Sequence, residues 1–158
     1  MKEILLSKGY RALVDDEDYE FINQWKWCYL STGYAVREDK NSKMLLMHRI
    51  VARTPKGKVT DHINGNKLDN RKSNLRVCTS AQNIAYTKKR NGNPASVYKG
   101  VSLDKRRGYW NAEIWHNYKK YYLGAFKEER HAAMAWDIAA RDLKGSFAYL
   151  NFPNAIQI

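Results

Sequence analysis

Asp61-His62-Ile63-Asn64-Gly65-Asn66-Lys67-Leu68-Asp69-Asn70-Arg71-Lys72-Ser73-Asn74-Leu75-Arg76-Val77 is a polar, turn-rich run. Asn-Gly is a strong turn dipeptide, and Asn64-Gly65 with Gly57 punctuates the chain around Val59–Ile63, which reads as a strand. Leu75–Cys78 fits a second short strand. Thr79-Ser80-Ala81-Gln82 has the capping-box spacing of a Ser or Thr three residues before a Gln. A helix should therefore begin there and carry Asn83 in its first turn. The order is turn, strand, loop, strand, helix.

Hydrolysis of a phosphodiester needs a base to deprotonate water, a hard cation to hold the phosphate, and something to fix the base's orientation. His62 stands beside a carboxylate in a turn-rich, basic segment, and the unperturbed histidine pKa of about 6.5 suits a base at neutral pH. Asp61 is a hard oxygen ligand of the kind Mg²⁺ takes, and Asn83 offers a second oxygen. Asn-rich segments also form turns with no chemistry attached. The spacing argues for the chemical reading.

Those residues resemble a known family. His48-Arg49, Asp61-His62-Ile63-Asn64-Gly65-Asn66, Asn70, Asn74-Leu75-Arg76 and Asn83 follow the pattern of the HNH endonucleases, above all the phage and intron homing type. The resemblance implies a two-stranded hairpin and a helix around one metal. It makes His62 the general base and Asn74 the asparagine that fastens the loop and positions that base. It makes Asp61 and Asn83 the metal ligands. Many relatives carry histidine at the last position, so this chain looks like an H-N-N variant. An all-oxygen site should favour Mg²⁺ or Mn²⁺ over Zn²⁺. The C-x-x-C pairs of many relatives have no counterpart, and no structural zinc is expected. His48 is read as structural, and Arg49 as a phosphate contact. Adjacent strand residues face opposite ways. Asp61 and His62 can thus serve one phosphate only from a twisted or terminal position.

Upstream, Ile4–Leu6 and Arg11–Val14 read as short strands around Gly9. Asp15-Asp16-Glu17-Asp18 places negative charge where a helix would begin, which suits the positive end of its dipole. Trp25, Trp27 and Tyr29 alternate with Lys26 and Cys28, so they share one face and read as core. Ser31-Thr32-Gly33 supplies a turn before a strand at Tyr34–Arg37. Met44–Ala52 fits a strand or a short helix equally.

The chain has 158 residues and a net charge of +12, unevenly spread. Residues 1–52 hold 8 basic and 8 acidic side chains, residues 53–95 hold 10 and 2, and residues 96–158 hold 10 and 6. Charge segregated into the middle and C-terminal thirds points to a polyanionic partner. The apolar content of 44% is that of a folding chain. No apolar run approaches the roughly 20 residues of a membrane span, and the first residues lack a signal peptide's apolar stretch. Cys28 and Cys78 form no metal-binding pair and suit a reducing compartment. The expected location is the cytoplasm of a bacterial or phage-infected host.

Thr87–Ala95 is basic, turn-rich and without periodicity, and reads as a linker. Beyond it, Val97–Leu103, Tyr109–His116 and Tyr121–Phe126 read as an antiparallel meander. Glu128–Lys144 reads as a helix whose Ala132, Ala133, Trp136, Ala139, Ala140 and Leu143 make a core-facing stripe. Tyr98-Lys99-Gly100-Val101, Trp110-Asn111-Ala112-Glu113-Ile114, Tyr122-Leu123-Gly124-Ala125-Phe126, Ala135-Trp136-Asp137 and Leu150-Asn151-Phe152-Pro153 resemble the plant APETALA2/ethylene-response-factor DNA-binding domain. The resemblance implies a sheet lying in the major groove with the helix behind it. It puts Lys99, Ser102, Arg106, Arg107, Trp110, Glu113, Trp115, Lys119 and Lys120 at the DNA. Tyr109, Trp110, Tyr121 and Tyr122 read as partly core.

The expected fold class is therefore α+β. A ββα-metal nuclease region lies in residues 1–86, a basic linker in 87–96, and a three-stranded antiparallel sheet packed on one helix in 97–158. The expected activity is site-specific nicking of double-stranded DNA by a monomer. The alternative is a DNA-binding regulator with an inactive nuclease domain.

Overall fold

The computed structural model describes residues 1–87 and 95–154. The predicted linker lies largely outside the described residues. The architecture is α+β, as the sequence implies. Two compact units divide the chain, Met1–Ser80 and Ala81–Ile158.

In the first unit, β1 (Lys2–Leu5) and β2 (Arg11–Val14) pair antiparallel across a tight 3-10 turn at Ser7–Gly9. Helix α1 (Asp16–Ile22) follows with Asp16, Glu17 and Asp18 in its first turn. A small antiparallel sheet comprises β3 (Cys28–Tyr29), β4 (Ala35–Glu38) and β5 (Met44–Leu46). Met44–Ala52 resolves into both of its readings, because α2 (Met47–Val51) begins where β5 ends. The hairpin of β6 (Val59–His62) and β7 (Leu75–Cys78) comes next, paired antiparallel with His62 opposite Leu75.

One apolar core draws on most of these elements. Ile4, Leu6, Ala12, Val14, Ile22, Trp27, Ala35, Met47 and Val51 are buried together, and Trp25, Tyr29, Leu68 and Leu75 pack against them. The aromatic alternation is thus core packing, as expected, although the regular strand spans only two residues there. The core supports the loop between β6 and β7 from beneath. That loop is also stitched to β2: Leu13 donates to the Leu68 carbonyl at 2.8 Å, and Asn70 donates to the Leu13 carbonyl at 2.8 Å. Lys72 adds an ion pair to Glu17 at 2.6 Å, and its backbone N–H reaches Asp15 at 2.7 Å. The acidic cluster therefore holds the β6–β7 loop as well as opening a helix.

The second unit starts in α3 (Ser80–Ala85), the helix expected after the capping-box spacing. Its sheet has the order β10 (Lys119–Phe126), β9 (Tyr109–His116), β8 (Val101–Asp104), all antiparallel. Helix α4 (Glu129–Lys144) covers one face with Ala132, Ala133, Trp136 and Ala140. The first strand begins at Val101 rather than Val97. Gly100 explains the difference. It has a φ of +75°, and a Cβ there would sit 1.9 Å from the Trp136 ring. The chain turns over the indole at that point instead of running straight.

The tail of α3 is tied to the rest of this unit. Tyr86 meets Tyr149 edge-on at 5.7 Å between ring centroids. The Lys99 ammonium caps the helix by donating to the carbonyls of Ala85, at 2.8 Å, and Thr87. Among the described residues, no helix is long and apolar enough to cross a membrane.

Candidate active site

His62 is the last residue of β6, the terminal position that the strand argument requires. Its side chain turns inward and is 6% exposed. Its Nε2 lies 3.2 Å from Oδ1 of Asn70, which is wholly buried. The His48 ring stands edge-to-face with it at 5.0 Å, and Tyr34 completes an aromatic wall at 6.1 Å. Burial pushes the His62 pKa down, and the Asn70 bond and the charges of Asp61 and Asp69 oppose that. The imidazole is thereby weighted toward the neutral form, which a general base needs. His48 is driven much further, down to about 4, by burial first and then by the neighbouring His62 and Arg49.

Asn74 spans the loop. Its Oδ1 accepts the backbone N–H of Asn64 at 2.9 Å, and its Nδ2 donates to the Asp69 carbonyl at 2.8 Å. Gly65, with a φ of +76°, makes the turn between those anchor points. Asp69, 2% exposed, is gripped by Arg71 through Nε at 2.7 Å and a terminal nitrogen at 2.6 Å, and by the Asn64 amide at 2.8 Å. These bonds hold the Asp69 carboxyl below the usual carboxylate range, with Arg71 the largest cause.

Asp61 precedes His62 on β6 and is partly exposed. It sits opposite Arg76 in the hairpin register, and Arg76 donates to its Oδ2 at 2.9 and 2.7 Å. The guanidinium fixes the orientation of the carboxylate. Asn83 is half-buried on α3 and belongs to the second unit. The candidate ligands are one carboxylate and one amide, an oxygen set that fits a hard divalent cation. Arg49, on α2, donates to the Lys58 carbonyl at 2.9 Å.

Of the residues expected at DNA, the sheet brings four to its outer face, away from α4. Ser102 lies on β8, Glu113 and Trp115 on β9, and Lys120 on β10. Trp115 is 62% exposed and pairs across the strands with Lys120, whose ammonium meets Glu113 at 2.7 Å. Arg106 and Arg107 lie exposed in the β8–β9 turn, which Asp104 fastens. Lys119 is exposed at the β9–β10 hairpin end. Trp110 has the opposite strand parity and packs toward α4 with Val101 and Ala112. Lys99 is turned toward α3, against the Trp136 and Tyr149 rings.

Sequence reasoning passed over several residues. Asn70 stands in the motif with no role implied, because its contact with His62 forms only in the fold. Arg76 was findable, because pairing the two predicted strands around the turn sets it opposite Asp61. Tyr122, 61% exposed with its hydroxyl 3.3 Å from Asn111, joins the outer face rather than the core. Tyr121 packs inward, as expected.

A model of an HNH endonuclease family matches residues 46–85. An HNH endonuclease of Acanthamoeba polyphaga mimivirus is 30% identical over 150 residues, covering 91% of this chain and 76% of that protein. The C-terminal part is similar to plant proteins. An ethylene-responsive transcription factor of Arabidopsis thaliana is 43% identical over 72 residues, 44% of this chain and 39% of its own length. An AP2/ERF and B3 domain-containing transcription repressor of the same plant is 40% identical over 63 residues, 40% of this chain and 17% of its own length.

Proposed function

The chain belongs to the HNH endonuclease family, and from there we propose that it is a site-specific DNA endonuclease of the homing type, nicking one strand with His62 as general base. The observation that carries this reading is His62 at the end of β6, buried against Asn70 in a loop cross-braced by Asn74. A base must be held still to be useful, and the hydrogen bonds of this loop hold its end in place. The outer sheet face of the second unit supplies the DNA-reading surface, consistent with its likeness to plant transcription factors. DNA is the partner that both units point to. The protein acts as a monomer in the cytoplasm of a bacterial or phage-infected host, and one motif per chain gives one nick.

In the proposed reaction His62 takes a proton from water, and the hydroxide attacks phosphorus in line. The bond to the leaving oxygen breaks on the far side. The residues to hold a divalent ion are Asp61 and Asn83, with Arg76 orienting the Asp61 carboxylate. When bound, Mg²⁺ or Mn²⁺ would supply Lewis-acid stabilisation of charge on the phosphate and the leaving oxygen. Asn74 keeps the loop closed while the proton moves.

The test is relaxation of supercoiled plasmids carrying fragments of the source genome, in Mg²⁺ or in EDTA. Open circles that require metal are expected, and His62→Ala should slow nicking by about 10²–10⁴-fold with duplex affinity retained. Linear product would indicate a double-strand cut. Tight duplex binding with no cleavage in either metal would favour a regulator, the reading that the plant likeness suggests.

A further inference from the structure

We propose that Tyr118, at the tip of the β9–β10 hairpin, is a DNA-contacting residue that lies on the sugar–phosphate backbone, its ring against a deoxyribose and its hydroxyl donating to a phosphate. It fixes where the sheet sits on the duplex and reads no base. The proposal rests on the reading of the outer sheet face as the DNA surface. It starts from a conformation that tyrosine does not favour. Asn117 and Tyr118 alone join β9 to β10, between the paired residues His116 and Lys119. Both have positive φ, +49° and +61°. A two-residue hairpin turn of this kind prefers Asn followed by Gly. Asn117 suits the first place. Tyr118 takes the second, where its Cβ crowds the backbone and a bulky residue is an outlier.

No packing offsets that strain, because Tyr118 is wholly exposed. Strain held at a surface tip without an internal contact points to a contact made with a ligand. The charge around the tip names the ligand. Lys119 and Lys120 follow directly, both exposed, and His116 precedes the turn. The nearby carboxylate of Glu113 is already engaged by Lys120 at 2.7 Å. A basic tip draws phosphate. Trp115, exposed on the outer face, stands three residues before Tyr118, about 10 Å along the chain. With that face at the bases, the tip therefore comes to the neighbouring nucleotides. Tyr118 is in the turn, outside the alternation that sends Glu113 and Trp115 to the outer face, so it meets the backbone there. A tyrosine suits the task. Its ring is rigid, with two torsions to fix, and its hydroxyl donates to phosphate oxygens. Such a contact is neutral. It adds affinity for any sequence and releases no counterion.

The experiment compares the intact wild type with Tyr118→Gly and Tyr118→Phe. Fluorescence anisotropy in EDTA, across a salt series, gives their affinities for two duplexes, one selected by the wild type from a random pool and one of scrambled sequence. Tyr118→Gly should bind both at least about tenfold more weakly. The salt slope and the ratio between the duplexes should stay those of the wild type. Tyr118→Phe keeps the ring and loses the donor, and should fall between. Without DNA, Tyr118→Gly should melt about 2–4 °C above the wild type, because glycine relieves the turn. Affinities of Tyr118→Gly equal to wild type would overturn the proposal. A loss confined to the selected duplex would also overturn it, by making Tyr118 a reader of bases. A lower melting temperature in Tyr118→Gly would remove the strain on which the argument stands. Failure of the wild type to select any duplex would refute the reading of the sheet as a DNA surface, and this proposal with it; the wild-type arm thus separates the two failures.

Discussion

His48 shows how a side chain read as structural constrains the conditions under which the protein survives. It is 5% exposed, and its pKa is lowered to about 4, first by burial. The folded state holds it neutral, whereas the unfolded chain takes up a proton near the ordinary 6.5. Its contribution to stability is complete above about pH 6.5 and disappears as pH falls from there to about 4, up to about 3 kcal/mol in all. Melting temperature should therefore drop across that window, and His48→Gln should flatten the drop. A wild-type melting temperature flat over this range would contradict the burial argument. His62 is shifted in the same direction and adds to the trend. At this scale the motif residues were legible because their spacing is a chemical signature. Asn70 was not, because its contact forms only when β6, the 68–70 loop and the Met47 end of α2 converge. Lys99 illustrates the opposite case. Family position assigned it to DNA, but its ammonium is engaged at the end of α3.

That engagement makes a prediction for the helix. Burial lowers the Lys99 pKa to about 8, with Lys144 adding repulsion, so the amine has given up water for two carbonyls. Lys99→Met keeps the length and the apolar stem but leaves those carbonyls without their donor. Backbone amides of α3 should then exchange faster with deuterium, and the second unit should lose about 1–2 kcal/mol. Exchange in α3 equal to wild type would mean that other contacts, the Tyr86–Tyr149 pair among them, hold the helix. Strands β9 and β10 and helix α4 were readable because alternation and a 3.6-residue stripe are strong signals over eight to sixteen residues. The failure at Val97–Gly100 has a specific cause. The alternation of that segment says nothing of the indole that Gly100 must clear.

Across the whole molecule, the net charge of +12 governs how DNA is met. If about 8 phosphates are covered, the log of the binding constant should fall against log salt with a slope of about −7. Fluorescence anisotropy across a salt series measures this, and a slope near zero would rule out a backbone-tracking interface. The segregation of charge was visible in the sequence; the placement of aromatic and charged groups on one outer face needed the strand register. The seam at Ser80/Ala81 has a further consequence, because it runs inside the 46–85 motif rather than after it. Recombination or engineering that exchanges readers at the basic linker would strand the end of α3 from Lys99 and Tyr149. A swap at the seam keeps the helix with Lys99 and Tyr149. Readers of this kind are not interchangeable cassettes: the exchange point lies at the start of the helix, within the stretch that the family model matches.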